Sequence, residues 1–421
     1  SATNDTVKMT LTNNAQGLTT SVTLADKTGS LGKTLQSSAG YSSDLRFQTS
    51  STDVNGSTSS AEYDALGNRT SATAPNGTKT NYNYTLGTTA AATDNRLRQS
   101  YIPGKISLNY TYENGALTSA RRGHYAGSTN LTQTYSFAYD SFLNPTSLKV
   151  GSNTLATYEY AAGNGQMRQV TFGNGCRIHY QYDTFDRLVQ EAFSRGNLLT
   201  QTKVYLYNGE GELAETALYN GEVSAANEQQ RYRYEYDSLG RVICSQEITN
   251  GALHQGTETL YDDANRVKKQ SWSLFQTEDG KTTTKTYTGR YTYNTGNGTM
   301  STADFGTGRT ATFAYDNLQR LTSETMAGLY TKSYTYRDIS STRTTTQIAS
   351  ESYTGLCSGW SNRTASYTYD AMGNIATITG PYKNKNSVQR TYTYDAQNQL
   401  LSETIDGDTT SYTYDTAGNI R

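Results

Sequence analysis

The sequence predicts an all-β protein: a long, curved antiparallel sheet of repeated β-hairpins that forms part of a hollow shell. Three observations predict it. The pair Tyr-Asp recurs along the chain with turn-forming residues behind it, Tyr alone supplies 36 of the 421 residues, and Pro only four. Tyr favours the pleated surface of a sheet, and ladders that use every backbone N–H leave little room for Pro. No window keeps a 3.6-residue apolar period, so little helix is expected.

Charge narrows the function classes. There are 36 Lys+Arg against 37 Asp+Glu, and only 17% of the residues are charged. That balance speaks against nucleic acid or an anionic membrane surface as partner. Leu, Ile, Val and Phe make up about 15% of the chain, which alone would suggest disorder. Disorder also wants high net charge and few aromatic residues, and neither holds here. No stretch approaches the ~20 apolar residues of a membrane span. The sequence opens at Ser1 without a charged-then-apolar leader, so any targeting signal is expected to have been removed. Cys176, Cys244 and Cys357 are too few and too scattered for a disulfide framework and do not fix a redox compartment.

Residues 1–60 are rich in Ser, Thr, Gly and Asn, have a strand-like texture and lack the repeated motif. They read as divergent N-terminal strands continuous with the shell. From residue 61 to 421 the motif sets the rhythm. It appears as Tyr63-Asp64, Tyr139-Asp140, Tyr182-Asp183, Tyr236-Asp237, Tyr261-Asp262, Tyr315-Asp316, Tyr369-Asp370, Tyr394-Asp395 and Tyr414-Asp415. Spacings of 20 to 25 residues read as one unit, and the larger ones as several units with decayed copies between. Such copies stand at Tyr110-Thr111-Tyr112-Glu113, Tyr158-Glu159-Tyr160, Tyr205-Leu206-Tyr207-Asn208, Tyr291-Thr292-Tyr293-Asn294 and Tyr334-Thr335-Tyr336-Arg337.

Within each unit the physics is local. Aromatic residues two apart, as at Tyr234/Tyr236, Phe313/Tyr315 and Tyr392/Tyr394, share one face of a strand. The Asp behind them can accept a backbone N–H inside a type I turn, and a residue three places on can take positive φ. Gly67, Gly240, Gly373 and Gly418 fill that slot, while Asp186, Asn265 and Asn398 are residues that tolerate it. Leu143 and Gln319 suit it poorly, so those two turns are expected to differ. Asn or Arg comes next, often with a branched apolar residue behind it that opens the second strand. At roughly 11 residues per strand and turn, the chain holds about 35 to 40 strands at ~4.8 Å spacing. Sheets that wide curl. The sparse aliphatic content cannot fill a solid interior, and a curved wall is left.

The unit Tyr-x-Tyr-Asp-x-x-Gly-Asn/Arg-Leu/Ile/Val resembles the YD repeat of the RHS (rearrangement hotspot) repeat family, over about residues 60 to 421. Phe172-Gly173-Asn174-Gly175 leading into Tyr180-Gln181-Tyr182-Asp183 is similar to the family as well. The resemblance implies bacterial toxin shells, in which YD repeats spiral into a cocoon around a C-terminal toxin, or an adhesion ectodomain as in teneurins. It further implies a secreted or surface location, in bacteria, and a C-terminal effector polypeptide of the parent chain as partner. The family's core segment, with its self-cleavage site, and its effector have no counterpart before Asn419-Ile420-Arg421. The chain is therefore expected to be a stretch of wall, truncated before any effector domain.

Candidate chemistry is thin. His124, His179 and His254 stand far apart without carboxylate or Cys at metal-ligand spacing. Gly209-Glu210-Gly211 and Gly306-Thr307-Gly308 mimic a dinucleotide fingerprint but lack the helix it needs. Asp262-Asp263 and Asp406-Gly407-Asp408 are too short for a calcium loop and read as turns. The sequons at Asn4, Asn55, Asn68, Asn76, Asn130, Asn297 and Asn362 arise by chance in so polar a chain. No catalytic residue, metal ligand or cofactor is assigned. Trp272 and Trp360 break the Tyr pattern and are the positions to consider for contact with cell-surface glycans. The expected role is a structural, non-catalytic wall around an effector, with an adhesion or carbohydrate-binding module as the alternative.

Overall fold

The computed structural model describes residues 2–3, 6–84, 95–126, 129–278, 281–306, 308–355, 362–383, 385–415 and 418–421. Among them there are 34 strands, β1 (Ala2–Thr3) to β34 (Asp408–Ser411), and no helix. Each strand pairs antiparallel with the next in sequence, so one sheet runs as an uninterrupted meander from end to end. The all-β expectation holds, as does the hairpin repeat.

A meander of this kind has two rims. Connections that leave even-numbered strands form one rim, and the YD motif sits there. β6 (Thr58–Tyr63), β12 (Thr129–Tyr139), β16 (Cys176–Tyr182), β20 (Glu228–Tyr236), β22 (Ala252–Tyr261), β26 (Thr310–Tyr315), β30 (Arg363–Tyr369) and β32 (Lys385–Tyr394) all end on the motif's Tyr. Connections that leave odd-numbered strands form the opposite, plain rim. Turns there lack the motif and are often short, as at Gly196-Asn197 and Asn250-Gly251.

Right-handed strand twist closes this ribbon on itself. Thr34, the first residue of β4 (Thr34–Tyr41), makes a parallel bridge to Arg343, the residue just before β29 (Thr344–Thr354). One revolution therefore takes 25 strands, from β4 to β29, or about 120 Å of arc at ~4.8 Å per strand. The chain makes one full coil and begins a second. The YD rim of the second coil rests on the plain rim of the first.

That seam is polar and well made. Lys33 pairs with Asp338 at 2.5 Å. Thr346 donates its backbone N–H to Asn55 Oδ1 at 3.0 Å, and Ser57 Oγ donates to the Ala371 carbonyl at 2.9 Å. Asn317 Nδ2 reaches Asp26 Oδ2 at 3.2 Å and Ser30 Oγ at 2.8 Å. Two of the most deeply buried side chains of the described residues lie here, Thr344 and Thr345 at 1% and 0% exposed, with Leu35 and Leu318 at 5% and 6%. The wall elsewhere is mostly half-buried, as a single sheet must be.

Candidate functional site

The repeat itself is the site, because the same small machine is built at each YD turn. The Asp opens it. At Asp64, Oδ1 accepts the N–H groups of Leu66 and Asn68, both at 2.9 Å, while Oδ2 accepts from Asn68 Nδ2 at 2.9 Å. The Gly67 N–H meanwhile donates to the Asp64 carbonyl at 3.1 Å. The fourth residue takes positive φ, and the strand pairing slips by one residue at the Tyr: Glu62 faces Ser71 but Tyr63 faces Arg69. This is a type I turn followed by a bulge at the left-handed residue. Asp140, Asp183, Asp237, Asp262, Asp316, Asp370 and Asp395 accept the same two N–H groups in their own turns. Asp415 accepts from the Asn419 N–H at 2.8 Å, and Gly418 closes that turn.

The residue after the left-handed position explains the Asn/Arg alternation. Its side chain folds back on the second carboxylate oxygen. Arg241 Nε donates to Asp237 Oδ2 at 2.7 Å, and Arg266 and Arg320 do likewise at 2.8 Å to Asp262 and Asp316. These donors hold the Asp237 and Asp262 carboxyls below the usual carboxylate range, chiefly through Arg241 and Arg266. Asp64 and Asp140 are lowered in the same way, first by Asn68 and Asn144. At Asp183 burial opposes ionisation, yet Arg187 and the two backbone donors keep that carboxyl low too.

The Tyr works on its neighbour rather than on its own turn. Tyr261 Oη donates to the Val242 carbonyl at 3.1 Å, at the start of the strand before it and just past the previous YD turn. The same bond runs from Tyr63 to Gln48, Tyr139 to Leu117, Tyr236 to Leu213, Tyr369 to Ile348, Tyr394 to Ile375 and Tyr414 to Leu400. The Arg of the previous turn covers the ring: Arg241 lies 4.5 Å from the Tyr261 centroid, Arg266 4.3 Å from Tyr293 and Arg320 4.2 Å from Tyr336. Where the turn carries Arg, then, Asp, Arg and Tyr link one turn to the next, as from Asp237 through Arg241 and Tyr261 to Asp262, Arg266 and Tyr293. Sequence reasoning placed the Asp and Gly in a turn but not this handover, whose acceptor is a main-chain carbonyl that no side-chain pattern marks.

Two expectations are corrected. The turns at Leu143 and Gln319 do not differ from the rest. Both residues take φ of 65° and close the same bond to Asp140 and Asp316, at 3.1 and 2.9 Å. The Asp carboxylate and its returning Asn144 or Arg320 partner over-determine the turn, so it forms even where the side chain resists that φ. Likewise the motif is not absent before residue 60. Tyr41 donates to the Thr19 carbonyl at 2.8 Å, and Ser42 stands where Asp would, with Leu45 at φ 61°. A hydroxyl has hidden that copy from a search for Tyr-Asp.

Other hydroxyls on the tyrosine face meet carboxylates. Tyr330 donates to Glu324 at 2.5 Å, and that bond together with burial pushes its hydroxyl up to about 12. Burial and the 2.8 Å bond to Glu351 push Tyr367 to about 12 as well. Trp272 is half-buried on β23 (Val267–Glu278), opposite Thr257 and Tyr287, and its ring would lie 3.4 Å from a Cβ at Gly289. It packs across the sheet. Trp360, Cys357 and Asn4 lie outside the described residues. His124, His179 and His254 sit on three separate strands, and among the described residues no group of His, Cys, Asp and Glu could hold a metal ion. Gly209-Glu210-Gly211 is a YD-rim turn closed from Gly211 to Asn208 at 3.1 Å. Asp406 and Gly407 are the two residues of a tight hairpin, at φ 54° and 94°.

The RHS Repeat family model matches residues 41–79, which span the hidden copy at Tyr41 and the first full one at Tyr63. The chain carries an RHS repeat. In fold, the crystal structure of TcdB2-TccC3 without its hypervariable C-terminal region matches 99% of the chain, with a TM-score of 0.59 and 14% identity. That of TcdB2-TccC3-Cdc42 matches 99% of it, with a TM-score of 0.58 and 14% identity. The chain spans 24% of either structure, about a quarter of their length. Identity this low shows the shared fold alone, a long antiparallel sheet. No curated protein matches the sequence.

Proposed function

We propose that this RHS wall is a container segment. In a longer secreted or cell-surface bacterial protein it encloses a polypeptide effector placed after it in the chain, and its action is steric, not catalytic. The observation that carries the reading is the seam. A ribbon that meets itself after 25 strands surrounds a space, and a single sheet with so few aliphatic side chains leaves that space unfilled. A closed meander also hides the backbone groups that an effector might otherwise pair with, because each internal strand is hydrogen-bonded on both sides. One of the similar structures is TcdB2-TccC3 without its hypervariable C-terminal region, which fits a shell that serves exchangeable cargo.

Limited proteolysis of the full natural polypeptide tests this. The segment downstream of Arg421 is expected to resist protease until denaturant opens the wall. Immediate cleavage of that segment, with the wall intact, would rule out enclosure.

A further inference from the structure

On the tyrosine face, Lys332 is fully matched: it pairs with Glu351 at 3.1 Å and lies 5.0 Å from the ring centroids of Tyr334 and Tyr353. Arg122 on the same face is not. It stands mid-strand on β11 (Ala116–Ala126), half-buried, and makes no hydrogen bond, ion pair or ring contact among the described residues. Its Nε is shut off from solvent and has no partner. The strand register builds a recess beside it. Leu108 of β10 (Ile106–Glu113) and Gln133 of β12 face Arg122, and two residues along the same face Ala120 stands between Tyr110 and Tyr135. Opposed side chains on one face start about 5 Å apart at Cβ, and the next row lies about 7 Å away. Ala120 is thus a low floor walled by two phenol rings, an amide and a guanidinium.

The other polar groups of the recess are idle too. The hydroxyls of Tyr110 and Tyr135 and the side-chain amide of Gln133 make no hydrogen bond among the described residues. No carboxylate answers them. Although the whole chain is balanced in charge, residues 99–150 hold Lys105, Arg121, Arg122 and Lys149 against Glu113 and Asp140. Glu113 lies five residues from Leu108 along β10, roughly 16 Å, beyond the ~8–10 Å over which salt leaves exposed charges coupled. The Asp140 carboxylate is engaged in its own turn. An arginine stem laid on apolar surface with its head in water needs no partner, but that leaves a buried Nε and three more donors without an acceptor, which is unfavourable. We infer that this recess binds an oxyanion. The guanidinium fork takes two oxygens side by side, and the phenol hydroxyls and the Gln133 amide donate to what remains. The oxyanion is the carboxylate of a polypeptide lying against the tyrosine face, or free phosphate. The site stands whether or not the wall encloses an effector.

Thermal unfolding of the 421-residue chain under increasing ligand, against chloride at matched ionic strength, tests the inference. The probes are inorganic phosphate, a peptide blocked at both ends with Glu as its sole charge, and the same peptide with Gln in place of Glu. An oxyanion that binds the folded chain raises its midpoint with concentration. Arg122→Gln should weaken the apparent affinity at least about tenfold, and Arg122→Lys, which keeps the charge but loses the fork, by less. Arg121→Gln, whose parent side chain is exposed on the opposite face, should bind like the parent. A response to phosphate alone assigns the site to a free anion, and a response to the Glu peptide but not the Gln peptide assigns it to a polypeptide carboxylate. No response to either oxyanion would overturn the proposal. So would a response that Arg122→Gln leaves intact, as general exclusion of phosphate from the surface would give, and so would equal loss in Arg121→Gln. Circular dichroism on each variant shows that the fold is retained.

Discussion

At the scale of single residues, one Asp side chain satisfies three donors in a turn, and the residue three places on absorbs the conformational cost. Gly240 does so at φ 74°, where a β-branched side chain is strained. Gly240→Val is expected to destabilise by more than ~1 kcal/mol. Leu143 holds φ of 65° with a side chain that is 54% exposed, so little packing offsets its strain. Leu143→Gly is expected to stabilise by about 0.5–1 kcal/mol, the strain relieved exceeding the entropy Gly adds to the unfolded chain. Urea midpoints check both, and a Leu143→Gly variant less stable than the parent would contradict this reading of the turn. The turn at Asp237 was legible because Asp and Gly state their roles in their own chemistry. The turn at Leu143 was not, because the conformation there is imposed by Asp140 and Asn144, and a leucine carries no mark of it.

At the scale of the hairpin, the unit of stability is the link between neighbours. A Tyr hydroxyl ties one YD turn to the strand beyond the previous one, under the Arg that the previous Asp orients. The hairpin rhythm was readable from the sequence, and the strand count nearly so, with about 35 to 40 expected against 34 among the described residues. The handover between repeats was not, since its partners are a main-chain carbonyl and a ring in another unit, neither of which leaves a motif. Acid should act on all these links at once. The carboxyls of Asp64, Asp140, Asp237 and Asp262 lie below their ordinary value, chiefly because Asn68, Asn144, Arg241 and Arg266 donate to them. A folded value below the unfolded one adds stability that is complete above the unfolded pKa and is lost as pH falls through the folded value. The denaturation midpoint is therefore expected to stay level from about pH 7 to 5 and to drop below about pH 4. A midpoint that stays level down to about pH 2 would show that these carboxylates contribute nothing.

At the scale of the whole molecule, curvature was predictable from sheet width and twist, but the pitch was not. Twenty-five strands per revolution come from the accumulated twist and from which rim loops meet, and residues 282 to 314 apart in sequence give no sign of one another beforehand. The enclosure reading rests on that closure. The most direct test is a distance across the seam. With the native cysteines replaced by Ser, spin labels at Lys33→Cys and Asp338→Cys stand where the native pair is 2.5 Å apart. The partly exposed ion pair they replace contributes little, about 0–1 kcal/mol, so the labels should not unfasten the wall. Pulsed electron paramagnetic resonance is expected to show one narrow, short distance in solution. A broad distribution with no short component would mean that the ribbon does not close, and the container reading would fall with it.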